Sequence, residues 1–422
     1  MAPRQLILSK SHKHLTLLFK YMRFHVLSVP HTIVNKDYLS CAFTQNVGMF
    51  CKMFKSVGHK LFYYGHKRSL VECDEHITIM DDEILHKCYG NYDFKNDFFK
   101  FTHNDQASQI FNKRCIYEIK KRKEKNDFIL CFWGNGHQPI ADQFPDCIIV
   151  EPSIGYGVNA VFAPHKVFVS YSFMHFVYGA NDQNEGKWND CVIPNYFDVK
   201  DFEYKEVKEN YMLFIGRLAK DKGIDICIQL AQKLNVKLVL AGPGDLKMLG
   251  YTKKNLPEQV SHIGFADVEK RKELLANAKC LLLPTLYLEP FGCVIIEALL
   301  SGTPVITTDW GAFPEINLHG ITGYRCRNFE QFSWAVTNIH NIKSSVCRDW
   351  AVANFSMERV KNMYEEYFEM LSNLYNKKGF YEDNPFRSKL DWLYKKYPAR
   401  KKGKKKVKIN EEPLLLAGEL SL

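Results

Sequence analysis

The chain has 422 residues, 46% of them hydrophobic, and its 57 Lys and Arg against 47 Asp and Glu give a formal net charge of +10. That length is long for one core and comfortable for two domains, and the apolar share is ordinary for a soluble globular chain. No run of about 18 uncharged apolar residues occurs, which argues against a spanning helix.

The 13 cysteines are scattered, with no CxxC pair and no zinc-like spacing. This favours a reducing compartment and buried thiols over a disulfide framework or a metal site. Lys13 and Lys20 bound the short apolar patch LTLLF at 15–19, so no signal peptide is evident. The expected location is the cytoplasm, with peripheral membrane attachment as a variant.

Residues 1–20 read as an extension. FHVLSV at 24–29 predicts the first core strand. Val47, Phe50, Cys51, Phe54 and Val57 recur at helical spacing. GHKLFYYG at 58–65 then reads as a turn and a second strand. Residues 73–125 are polar, aromatic and irregular, and are expected to hold helices. Tyr89, Tyr92, Phe94, Phe98, Phe99 and Phe101 within them read as core packing rather than a platform for a sugar. Two further strands follow: DFILCFW at 127–133 runs into GNGH at 134–137, and CIIV at 147–150 runs into EPSIGY at 151–156. In a doubly wound sheet ligands sit at the carboxyl ends of strands, so both loops are candidates to face a cleft. GNG lacks the third glycine of a dinucleotide fingerprint. His175, flanked by aromatics, reads as a packed histidine.

The second half is clearer. MLFI at 212–215 is a strand and 223–234 a helix with Ile224, Cys227, Ile228, Ala231 and Leu234 on one side. VKLVL at 236–240, CLLL at 280–283 and PVITT at 304–308 are further strands, and 269–278 and 357–374 are helices. RKKGKKKVK at 400–408 is nearly all basic. Such a run is expected to stay solvated and disordered, with weak membrane or polyanion contact as the alternative and no specific nucleic acid. The alternation of strand and helix predicts two doubly wound α/β domains with parallel sheets. Their bounds are 21–195 and 196–376, flanked by extensions at 1–20 and 377–422.

One segment carries most of the chemistry. EPFGCVIIE at 289–297 sets two carboxylates eight positions apart around a Pro-Phe-Gly turn, after the strand at 280–283. A strand feeding a helix through a tight turn offers free backbone N–H groups, which attract phosphate. Glu289 stands in the turn, beside whatever the phosphate carries. Glu297 lies about two turns into the helix, among apolar neighbours, where a buried carboxylate needs partners such as sugar hydroxyls. Arg217 and Lys222 occupy a loop at another strand end, and no Asp-x-Asp metal motif stands at a strand end in this half. Positive charge for a phosphate seated there is therefore assigned to Arg217, Lys222 and the helix start at Gly292 and Cys293.

The pattern resembles the E-x7-E motif of glycosyltransferase family 4, retaining enzymes of the GT-B type. NYMLFIGRLAKDKG at 210–223, AGPGD at 241–245, HIGF at 262–265 and GAFPEI at 311–316 resemble that family in order and spacing, and VIPNYFD at 192–198 resembles its interdomain linker. The likeness covers roughly 190–375 and is thin before 190. It implies a GT-B fold and a donor site of Gly216, Arg217, Lys222, Phe291, Gly292, Cys293 and Glu297. It also implies a catalytic role for Glu289 beside the transferred sugar. Relatives carry a histidine at a strand end in the first domain, and either His137 or Glu151 stands where it would be. Tyr38 and residues 40–45 replace the glycine-rich loop of many relatives on the acceptor side. The implied activity is metal-independent transfer from a nucleoside diphosphate sugar, with no cofactor, to an acceptor hydroxyl of a glycan, lipid or other molecule. A nucleotide-sugar epimerase or phosphorylase of the same fold, and a non-catalytic polyanion-binding protein, are the rival readings. A dinucleotide-dependent oxidoreductase is a more distant one.

Overall fold

The structure, a computed structural model, describes residues 21–38, 41–91, 93, 99–102, 104–252 and 254–377. The extension at 1–20, Ser40, Tyr92, Phe94, Phe98 and the basic run at 400–408 lie outside them.

The first half forms a seven-stranded sheet, β1 (Arg23–Leu27), β2 (Lys60–His66), β3 (Glu75–Met80), β4 (Phe128–Cys131), β5 (Ile148–Ile154), β6 (His165–Phe168) and β7 (Asp190–Val192), in the order β3-β2-β1-β4-β5-β6-β7. All its pairings are parallel. Its helices are α1 (Ala42–Lys55), α2 (Asp82–Tyr89), α3 (Gln106–Lys120), α4 (Gln138–Ala141) and α5 (Tyr171–Ala180). The second half forms a six-stranded parallel sheet, β8 (Tyr211–Ile215), β9 (Lys237–Ala241), β10 (Val260–His262), β11 (Cys280–Leu283), β12 (Val305–Thr308) and β13 (Gly323–Cys326), in the order β10-β9-β8-β11-β12-β13. Around it stand α6 (Ile224–Leu234), α7 (Val268–Asn277), α8 (Cys293–Leu300), α9 (Phe313–Ile316), α10 (Phe329–Asn338), α11 (Ser344–Phe355) and α12 (Met357–Tyr375).

The central strands are apolar along their length because helices cover both sheet faces. Phe24 and Val26 of β1, and Met212, Leu213 and Phe214 of β8, are fully buried. Phe24 stacks on Phe128 at 5.1 Å and meets Phe54 and Phe368 edge-on at 5.2 and 4.9 Å. Phe368 belongs to α12, so the last helix leaves the second sheet and completes the first half's core with Val360, Tyr364 and Leu371.

The chain thus crosses between the halves twice, and the crossings lie side by side. Phe197 N–H donates to the Phe355 carbonyl at 3.0 Å, and Met357 N–H to the Phe197 carbonyl at 2.9 Å. The sequence pattern does not reveal β3, β6, β7, β10 or β13. β3 is an edge strand of alternating exposure, and the other four span only three or four residues. His175 is exposed on α5 rather than packed, because Phe173 and Val177 take that helix's inward face. All 13 cysteines are free. Among the described residues no helix is long and apolar enough to cross a membrane.

Candidate active site

A cleft of about 700 Å3 separates the halves. Its first-half wall includes Asn35, Gln45, Asn46, Lys52 and Glu72. Its second-half wall includes Gly216, Arg217, Lys222, Arg271, Tyr287, Glu289, Cys293 and Glu297. Six of the residues expected at the site, Gly216, Arg217, Lys222, Glu289, Cys293 and Glu297, are therefore brought together.

Gly216 and Arg217 follow the carboxyl end of β8, held by a bond from Gly216 N–H to the Ala241 carbonyl at 2.9 Å. Lys222 ends a short helical turn that closes on Gly223. Gly223 has φ +74°, and a Cβ there would stand 2.1 Å from the Pro284 carbonyl oxygen, so only glycine lets this basic turn lie against the loop after β11. Leu286 N–H donates to the Asp221 carbonyl at 2.8 Å across the same contact. Lys222 Nζ then reaches Glu289 Oε2 at 2.8 Å. Tyr287 donates its hydroxyl to that oxygen at 2.6 Å, and Lys222 also bonds the Tyr287 oxygen.

The backbone of Glu289 is fixed from behind. Ala312 N–H donates to its carbonyl at 3.0 Å. Gly311, at φ +61°, lies so close that a Cβ would come 2.7 Å from the Glu289 nitrogen. The helix α8 begins four residues after Glu289 with no side chain capping it, which leaves first-turn N–H groups for an anion. Glu297, on α8, is gripped by Arg271 of α7, whose Nε stands 2.6 Å from Glu297 Oε2. Burial, with Glu297 and Glu289 nearby, pushes the Cys293 thiol up to about 12. It therefore stays neutral at the helix start, where Asn195 of the linker donates to its Sγ at 3.4 Å. Asn46 of α1 donates to Asn195 Oδ1 at 3.2 Å, so a polar chain runs from one half through the linker to the other. Among the described residues no three His, Cys, Asp or Glu side chains gather as a metal site.

Three expected residues are placed elsewhere. The Phe291 ring is 3% exposed and packs edge-on against Phe355 at 5.9 Å, inside the second half's core. His137 is fully buried and stacks on Phe111 at 5.5 Å. Its Nδ1 accepts from Trp133 N–H at 3.3 Å and its Nε2 reaches the Ser28 carbonyl at 3.1 Å, so both ring nitrogens are used by backbone. Glu151 lies inside β5, not in the loop after it. It accepts from Tyr156 OH at 2.6 Å, Phe162 N–H at 2.9 Å and Ala163 N–H at 2.7 Å. Burial pushes its carboxyl up, against the pull of those bonds. Neither lines the cleft. Gly292 is likewise not part of its lining; at φ +88° it turns the chain into α8.

Of the acceptor-side residues, Tyr38 is buried, while Gln45 lines the cleft and donates to the Asn35 and Tyr38 carbonyls at 3.3 and 3.1 Å. Phe101 stacks on His31 at 4.3 Å. The sequence reading gave no role to Tyr287, Arg271 or Asn195. Tyr287 was within reach of inference, two residues before Glu289. Arg271 was not, since nothing in a helix pattern says which acid it meets.

Two parallel sheets facing a cleft form the fold seen in GT-B glycosyltransferases. Residues 197–351 match the family model described as glycosyl transferases group 1, so the second half carries a glycosyltransferase group 1 domain. The chain is 33% identical over 170 residues to an uncharacterized glycosyltransferase of Methanocaldococcus jannaschii, covering 38% of this chain and 41% of that one. It is 26% identical over 299 residues to an uncharacterized 41.2 kDa protein in the cps region of Klebsiella pneumoniae, covering 68% and 77%. The fold is similar to that of Anabaena HepE solved with UDP and glucose, with a TM-score of 0.60 at 15% identity over 83% of this chain and 100% of that one.

Proposed function

We propose that the chain is a retaining, metal-independent glycosyltransferase. It moves a sugar, hexosyl in type, from a nucleoside diphosphate sugar to an acceptor hydroxyl of a glycan, lipid or other molecule. The observation that carries this reading is the convergence of Arg217, Lys222, Glu289, Glu297 and the open start of α8 on one cleft. HepE, whose fold is similar, was solved with UDP, which supports a nucleotide donor.

In this reading the diphosphate lies at the start of α8, between Arg217 and Lys222. Their charges and the helix dipole stabilise the negative charge that develops when the bond to the sugar breaks. Glu297 accepts from ribose hydroxyls, and Arg271 keeps it oriented. Glu289 meets the transferred sugar, through its hydroxyls or through positive charge on the anomeric carbon. His137 and Glu151 take no part, because their polar atoms are already engaged in the first half's interior. The acceptor enters along the polar first-half wall. Peripheral contact with a membrane through the basic tail belongs to the same proposal.

A thermal-shift screen of nucleoside diphosphates and their sugars tests the reading. A ligand that binds only the folded state stabilises it by roughly 2.7 kcal/mol at a hundredfold excess over Kd. No shift with any of them would refute a nucleotide donor, and the anomeric configuration of the product decides retention.

A further inference from the structure

The two halves also meet directly beside Glu289, and one side of that contact is the start of a helix. Ser170 is the N-cap of α5, its Oγ accepting from Phe173 N–H at 3.1 Å. The next two amides find their acceptor in the other half. Tyr171 N–H donates to Glu315 Oε2 at 2.9 Å and Ser172 N–H to Glu315 Oε1 at 2.7 Å. The Ser170 hydroxyl meanwhile donates to the Pro290 carbonyl at 2.7 Å. Pro290 is the residue after Glu289.

The second-half side of this contact is one short piece of backbone. Ala312, which holds the Glu289 carbonyl, leads directly into α9, and α9 carries Glu315. Phe313 and Ile316 anchor α9 in the second half's core. Glu315 and the turn bearing Glu289 therefore move together. The first turn of a helix carries unsatisfied N–H groups and partial positive charge, so a carboxylate placed there makes charge-assisted bonds. When the halves part, both carboxylate and amides return to water. That exchange costs little, so the contact is suited to forming and breaking repeatedly.

We propose that Ser170 and Glu315 are positioning residues. They clasp the start of α5 to the turn that carries Glu289, so that closure of the halves sets the orientation of that carboxylate. The positioning role rests on the assignment of Glu289 to the transferred sugar; the clasp itself does not.

Hydrogen exchange on the full chain reads the clasp without any ligand. In Glu315→Ala the amides of Tyr171 and Ser172, and those of the 289–293 turn, should exchange at least tenfold faster, with the amides of β8, β9 and β11 unchanged. Glu315→Gln, which keeps an acceptor, should recover part of the protection. Ser170→Ala, as a second variant, should loosen the same turn. Unchanged exchange at Tyr171 and Ser172 in the folded Glu315→Ala protein overturns the clasp, and so does acceleration spread evenly through the second sheet.

Titration of the same variants with UDP, GDP and ADP, and release of nucleoside diphosphate from UDP-glucose and GDP-mannose, read the consequence. Wild-type affinity with turnover lowered tenfold or more supports positioning. Affinity lost in the same proportion as turnover overturns it. If the wild-type chain binds none of the three nucleotides, the proposed donor site fails, and the clasp stands or falls on the exchange result alone.

Discussion

Lys222 and Glu289 form an ion pair on the cleft wall, Nζ to Oε2 2.8 Å, with each side chain only 16% exposed. The cation assigned to the diphosphate is thus neutralised by the carboxylate assigned to the sugar. An arriving diphosphate competes for Lys222, and Tyr287, bonded to the same Glu289 oxygen, can hold the carboxylate when Lys222 leaves.

Glu289→Gln should then leave nucleoside diphosphate affinity equal or tighter by about 1 kcal/mol, the scale of a partly exposed ion pair, while turnover collapses. Lys222→Met should weaken the same binding. Calorimetry on both folded variants checks this, and a clear loss of affinity in Glu289→Gln contradicts the competition.

Glu297→Ala should weaken nucleoside diphosphate binding by about 1.5–3 kcal/mol, the range for hydrogen bonds to a charged group. Arg271→Ala should weaken it less, since Arg271 acts through Glu297. An unchanged affinity in the Glu297 variant removes it from the ribose.

Transfer measured in excess chelator should continue at a similar rate, because Arg217, Lys222 and the α8 start are assigned the charge a metal would otherwise supply. Complete loss that magnesium or manganese restores would reverse that assignment.

His137→Ala should destabilise the fold by about 2–4 kcal/mol, through lost packing on Phe111 and the unsatisfied backbone groups it leaves. Nucleoside diphosphate affinity should not change in the fraction that folds. A folded variant of normal stability with impaired turnover would instead return His137 to the reaction.

Two other histidines set an acid limit. Burial lowers His59 to about 4, and burial, helped by the neighbouring Lys166, lowers His165 to about 4, both from 6.5. Each is neutral when folded, while the unfolded chain takes up a proton below 6.5. Their contribution is complete above that pH and is lost as pH falls from 6.5 toward 4, by up to about 3 kcal/mol each at 1.36 kcal/mol per unit. Urea melts across this range should show the decline, and His165→Phe should reduce it while His59's share remains.

What could be read along the chain is what short-range physics decides. The inner strands of the second half are buried on both faces, so they appear as apolar runs such as CLLL at 280–283. The two acids around Pro290 sit on one turn and one helix, so their spacing is set by backbone geometry alone. Residues 73–125 were opaque, because the edge strand β3 alternates exposure over six residues. The rest was decided by pairings between distant residues. Arg271 finds Glu297 across 26 positions and Tyr171 finds Glu315 across 144, and no local pattern encodes such a partner. For Glu151 the deciding matter was where β5 ends. The strand runs on to Ile154, which draws the carboxylate into the interior, where Tyr156, Phe162 and Ala163 satisfy it. Burial of that kind depends on what the folded chain stacks above a residue, and only the tertiary structure supplies it.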